Sequence, residues 1–149
     1  MSNEPSADPK AFGELKRRLA PGDAALAFFA PRGVGLTAWS GDEKKRTQIR
    51  RRFMLLGQTL DGMRVWDIRR AVQMVHFVRE ADTAKVELRA SGPMAVNARY
   101  AAVFEPGIRK LELSALPETE AAEPDYPNVF RFFDFRQAMQ LGLSAKKVE

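Results

Sequence analysis

The sequence predicts an α/β domain: a small parallel sheet of about three strands with flanking helices. Three observations carry that expectation. Runs of strand length occur at Ala24 to Ala30, Lys85 to Ala90 and Arg109 to Leu116. Between them lie stretches whose apolar residues recur at three- and four-residue spacing, the mark of a helix with one buried face. The resulting order is strand, helix, helix, strand, helix, strand, helix, and parallel strands need crossover connections of that kind.

The elements follow in order along the chain. Residues 1 to 10 are polar and expected to be disordered, with a single domain over 11 to 149. Ala11 to Leu19 alternates apolar and basic residues at helical spacing and is closed by the turn Pro21-Gly22-Asp23. Ala24 to Ala30 is continuously apolar, as a strand buried on both faces would be, and Pro31-Arg32-Gly33-Val34-Gly35 follows as a loop. Asp42 to Leu60 reads as a helix with Ile49, Phe53, Leu56 and Leu60 turned inward, broken by Asp61-Gly62. A second helix then places Val65, Ile68, Val72 and Val75 on one face. After the strand Lys85 to Ala90, Ser91-Gly92-Pro93 turns the chain into a helix from Met94 to Phe104, with proline suited to its first turn. Glu105-Pro106-Gly107 ends that helix, and Arg109 to Leu116 is the third strand. A Pro- and Glu-rich loop, Pro117 to Pro127, leads to a last helix over Asn128 to Leu143, apolar at Val129, Phe132, Phe133, Ala138, Met139 and Leu141.

Composition narrows the function classes. With 149 residues, 45% of them hydrophobic, the chain can fill one core. The absence of cysteine excludes disulfides, thiolate metal sites and thiol nucleophiles. Met1 to Lys10 lacks the apolar stretch of an export signal, so a soluble, cytoplasmic chain is expected. No run reaches the roughly 20 apolar residues of a membrane span, and no membrane partner is expected. The net charge of +5 comes partly from Lys44, Lys45, Arg46, Arg50, Arg51 and Arg52. These are the candidate anion-binding residues. Because they fall on a helical pattern with no aromatic residues between them for base stacking, a solvated helix face or a generic anionic contact is the simpler expectation, and a specific nucleic-acid or membrane-lipid role the lesser one.

Two landmarks occur together: a strand ending in Arg32-Gly33-Val34-Gly35, and a later strand, tight turn and small-residue helix running from Val86 to Pro106. The helix carries Ala95, Ala98, Ala101 and Ala102 and closes on Glu105-Pro106. Over Ala24 to Leu116 this resembles part of the α/β-hydrolase fold, in particular acetylxylan-esterase-like and dienelactone-hydrolase-like members. The resemblance implies an R-G-x-G loop after one strand and a G-x-S-x-G nucleophile elbow after the next. The elbow falls on Ala90-Ser91-Gly92-Pro93-Met94, which puts Gly92 where the nucleophile belongs and Ser91 one residue early. Pro93 follows, and it has no N–H to contribute to an oxyanion hole. The family's acid and histidine follow later strands, whereas His76 is the only histidine here and precedes the elbow. On this correspondence the fold's first three strands have no counterpart, so an exposed parallel edge is expected, completed by a protein partner or by self-association.

The leading expectation is therefore a degenerate, non-catalytic hydrolase-like domain, a pseudoenzyme with a structural or interaction role. One alternative is a carboxyl-ester hydrolase completed by other segments or another chain. Another is a polyanion or nucleic-acid binder acting through the basic helix. A variant of the enzyme reading keeps Ser91 as nucleophile with His76 as base, although a one-residue slip points the side chain elsewhere. Glu118, Glu120, Glu123 and Asp125 form an acidic loop without the spacing of a known cation site. There is no G-x-x-x-x-G-K-[ST], H-E-x-x-H or G-x-G-x-x-G, and no cofactor or metal is expected. Trp39 and Trp66 are expected at the core or its boundary.

Overall fold

A computed structural model describes residues 9–19, 24–39, 42–78, 85–117, 125–126, 129–132, 137, 140 and 147–148. The chain divides into two compact units, Met1–Ser40 and Gly41–Glu149.

In the first unit, α1 spans Pro9–Leu19, with proline in its opening turn where a missing N–H costs nothing. Phe12 of α1 meets Phe28 edge to face, ring centroids 5.6 Å apart. Ala24 to Ala30, expected as the first parallel strand, has no regular secondary structure. An apolar run becomes a strand only where another strand takes its backbone hydrogen bonds, and this unit has no strand among its described residues. The Arg32-Gly33-Val34-Gly35 segment turns the chain, with the Val34 N–H donating to Pro31 O at 3.1 Å. A single 3-10 turn, Gly35–Thr37, follows. Trp39 lies so close over Gly33 that a Cβ there would come 3.0 Å from its ring.

The second unit opens with α2, Glu43–Leu55, capped by the Asp42 carboxylate, which accepts from the Lys44 N–H at 3.0 Å. The expected helix to Leu60 stops five residues early. Gly57, at φ +68°, donates to Met54 O, and the Gln58 N–H donates back to Phe53 O, a Schellman motif that needs a left-handed residue in the glycine position. The Asp61-Gly62 pair is then no breaker. It lies in the first turn of α3, Leu60–Phe77, where the Thr59 hydroxyl accepts from the Gly62 N–H at 3.1 Å. The inward face expected of α2 is not buried either: Ile49 and Phe53 are half-buried and Leu56 is 74% exposed.

On α3, Val65, Ile68 and Val72 are buried as the spacing predicts, and Val75 is half-buried. Next come β1, Val86–Ser91, α4, Pro93–Phe104, and β2, Ile108–Ser114. β1 and β2 pair in parallel, Leu88 beside Leu111 and Ser91 beside Ser114, with α4 as the crossover. The C-terminal helix expected over Asn128 to Leu143 is described as α5, Val129–Phe132, with Gln137 and Gln140 also helical. Asn128, Phe133, Ala138, Met139, Leu141 and Leu143 lie outside the described residues, as do Glu118, Glu120 and Glu123. The third strand of the sheet is β3, Lys147–Val148, an edge strand paired in parallel with β2, so β2 is the central strand and Ala24 to Ala30 has no place in the sheet.

This is an α/β fold with a small parallel sheet. Its core sits between α3, α4 and one sheet face: Val65, Ile68, Val96, Tyr100 and Ala101 toward Leu88, and Val72, Ala102, Ile108 and Leu111 toward Val86 and Leu113. Ala95, Ala98, Ala101 and Ala102 are all buried, and their small side chains let α4 lie close to both neighbours. The other sheet face is charged. Arg89 Nε is 2.5 Å from Glu112 Oε2, and Lys110 Nζ is 3.2 Å from Glu112 Oε1. A parallel sheet covered on both faces reads apolar on both, so the expectation of helices on either side holds for one side among the described residues. No helix among them is long and apolar enough to cross a membrane.

Candidate functional site

In parallel α/β sheets, ligands gather outside the carboxyl ends of the strands, which here are Ser91 and Ser114. Between β1 and α4 stands Gly92, at φ 60° and ψ −140°, a conformation accessible almost only to glycine. Its N–H continues the ladder to Ser114 O at 3.0 Å, and its carbonyl accepts from the Ala95 N–H at 2.9 Å. The turn is thus a sharp strand-to-helix elbow. A Cβ on Gly92 would meet nothing within 4 Å, so the position faces open space without a side chain to place there. Ser91 is exposed, and β-strand alternation sends its side chain to the charged side of the sheet with Glu87 and Arg89. Ala90 and Met94 are partly buried on either side of the elbow. Ala115, directly after β2, has φ +50°, a left-handed conformation that strains any residue with a Cβ.

Two polar clusters fix α3 against α4, one at each end. Asp61 receives Asn97 Nδ2 at 3.3 Å, and Arg69 Nε donates to Glu105 Oε1 at 2.8 Å. Both pairs are separated by 36 residues, so the two helices run side by side in the same direction. Asp61 lies at the elbow end. Its Oδ1 also takes Arg64 Nη1 at 2.9 Å, and its Oδ2 takes the Asp125 N–H at 3.0 Å. Asn97 is wholly buried and its Oδ1 accepts from the Tyr126 hydroxyl, while the Tyr126 ring packs on Tyr100 with centroids 4.5 Å apart. Asp125, expected in a solvated acidic loop, pairs with Arg50 of α2. With both oxygens occupied by donors, the Asp61 carboxylate is a strut for the segment at Asp125 and Tyr126 rather than a base.

The opposite end holds Glu105 and His76. The Glu105 carboxylate is buried and also accepts from Gln73 Nε2 at 2.8 Å, so the residue read as a family mark ties the end of α4 to α3. His76 packs against Gly107, where an added Cβ would fall 2.5 Å from Nε2. Gly107 directly precedes β2, at the edge of the sheet away from the elbow. The 12 residues of α4 separate the two edges by about 18 Å. Ser91 and His76 are therefore not brought together, and no proton can pass directly between them. Among the described residues, no three His, Asp or Glu side chains gather as a cation site would need.

The basic residues of α2 divide into two sets. Arg46 pairs with Glu43 and Arg50 with Asp125. Lys44, Lys45, Arg51 and Arg52 are exposed, and no ion pair holds them among the described residues. Trp66 and Trp39, expected at the core or its boundary, are both exposed; Trp66 lies under the Arg70 guanidinium at 4.9 Å, and Trp39 lies over Gly33.

The class that fold and site define is thus an α/β chain with a parallel sheet and a glycine elbow at its carboxyl edge. A scan against protein-family models matches no family, and neither a search of curated proteins nor one of solved structures returns a match.

Proposed function

We propose that this chain is a non-catalytic domain of α/β-hydrolase-like descent, acetylxylan-esterase-like in its central segment, with a structural or interaction role. The observation that carries the reading is the elbow. β1, Gly92 at φ 60° and ψ −140°, and α4 form a strained strand-to-helix turn, and this supports the reading because such enzymes mount their serine on a turn of that kind. Glycine stands there in place of a nucleophile, and Pro93 follows without the N–H that would help hold an oxyanion. His76 at the far edge of the sheet adds support, since a hydrolytic serine needs its base within hydrogen-bond reach. An interaction role is supported by β1, which among the described residues pairs on one side only. The edge strand offers its other row of backbone groups to a protein partner or a second copy.

Hydrolysis of p-nitrophenyl acetate tests the reading. The purified chain and its Ser91→Ala variant are expected to give the same rate, equal to buffer with an inert protein. Turnover that Ser91→Ala abolishes would make the chain a carboxyl-ester hydrolase instead.

A further inference from the structure

The four unpaired cations of α2 share one side of the helix. Lys44 and Arg51 are seven residues apart, as are Lys45 and Arg52, and seven residues is close to two helical turns. They therefore form two adjacent rows, with Gln48 between them. Leu55 falls on the same stripe one turn beyond Arg51 and Arg52, and it is 86% exposed; Leu56 after it is 74% exposed. The paired cations, Arg46 and Arg50, lie around the helix toward Ile49 and Phe53, the half-buried side. The acidic residues of this element, Asp42 and Glu43, are confined to its start, where Asp42 caps the helix and Glu43 holds Arg46.

No residue of α2 is buried, so this stripe does not serve the core. Its chemistry points to one kind of surface. Four cations without carboxylate partners want anionic groups. Two leucines beside them, out in water, want hydrocarbon. Nucleic acid offers the first and has no use for aliphatic side chains, and no aromatic residue stands on the stripe to stack on bases. An anionic lipid surface offers both at once: headgroup phosphates for the lysines and arginines, and the acyl boundary for the leucines.

We propose that α2 is a peripheral contact for anionic membranes, lying in the interface with Lys44, Lys45, Arg51 and Arg52 at headgroup level and Leu55 and Leu56 dipped below it. This takes up the lesser reading of the basic cluster, against the expectation that the chain has no membrane partner; it adds the exposed leucines and requires no membrane-spanning helix. It stands independently of the hydrolase-like reading.

Co-sedimentation with phosphatidylcholine vesicles containing 30% phosphatidylserine tests it. The full chain is expected to pellet with these vesicles in low salt and to stay in solution with pure phosphatidylcholine. Each cation replaced by glutamine should weaken partitioning roughly fivefold. Leu55→Ser with Leu56→Ser should weaken it by about tenfold. All six side chains are exposed, and circular dichroism of each variant checks that the helices are retained. Failure of the wild-type chain to pellet in low salt would overturn the proposal. So would pelleting that the leucine substitutions leave unchanged, or binding to a single-stranded polynucleotide that is tighter than to the vesicles and insensitive to the leucines.

Discussion

Gly92 and Ala115 sit at the carboxyl ends of neighbouring strands, and each has a positive φ for which one kind of residue is suited. Gly92 suits its position and Ala115 does not, so opposite substitutions should have opposite signs. Gly92→Ala should lower stability by about 1–3 kcal/mol through backbone strain alone, because space for the methyl group is open. Ala115→Gly should raise it by about 0.5–1 kcal/mol, the relief of strain less glycine's greater entropy loss. Urea denaturation of both variants measures the pair, and equal signs would contradict the backbone account. The position of Gly92 was legible in the sequence from Ser91-Gly92-Pro93 between a strand and an alanine-rich helix. The Asp61–Asn97–Tyr126 cluster was not. Asp61 reads as a helix breaker when only its glycine neighbour is considered, and its role depends on partners 36 and 64 residues away. Asn97 was the available signal, a lone amide in a helix otherwise fit for burial.

At the scale of elements, α4 explains most of the packing. Its alanines are wedged between α3 and the sheet, so Ala101→Leu should cost about 1–3 kcal/mol by overpacking, read as a lowered urea midpoint. A neutral result would mean that α4 has room the structure does not give it. Helix α2 is the contrast, since none of its residues is fully buried. Gly57→Ala should therefore act only on the Schellman turn, costing about 1 kcal/mol with nothing near the added methyl. Helix periodicity located α3 and α4 because each has a buried face to repeat. It misplaced the end of α2 because the stop there is set by a left-handed glycine, not by the apolar pattern. The strand expected at Ala24 to Ala30 failed for a different reason: apolar content announces burial, whereas a strand also needs a neighbour for its hydrogen bonds.

Across the whole molecule, each compact unit contains one tryptophan, Trp39 in Met1–Ser40 and Trp66 in Gly41–Glu149. Trp66→Phe and Trp39→Phe variants leave a single fluorescent reporter in the first and second unit respectively. The second unit holds the sheet and the clustered core, so the Trp66 signal should change at higher urea than the Trp39 signal. Coincident midpoints would show one cooperative structure instead. The α/β class was visible in the alternation of patterns, but the sheet's uneven faces, one packed on helices and one charged among the described residues, were visible only in part, through the charged residues of β1 and β2. The central proposal, that the Gly92 elbow is of hydrolase-like descent and carries no nucleophile, is tested most directly by the intact mass of the chain after incubation with a fluorophosphonate. No adduct is predicted, on Ser91 or any other residue. A stoichiometric adduct that maps to Ser91 and vanishes in Ser91→Ala would contradict it.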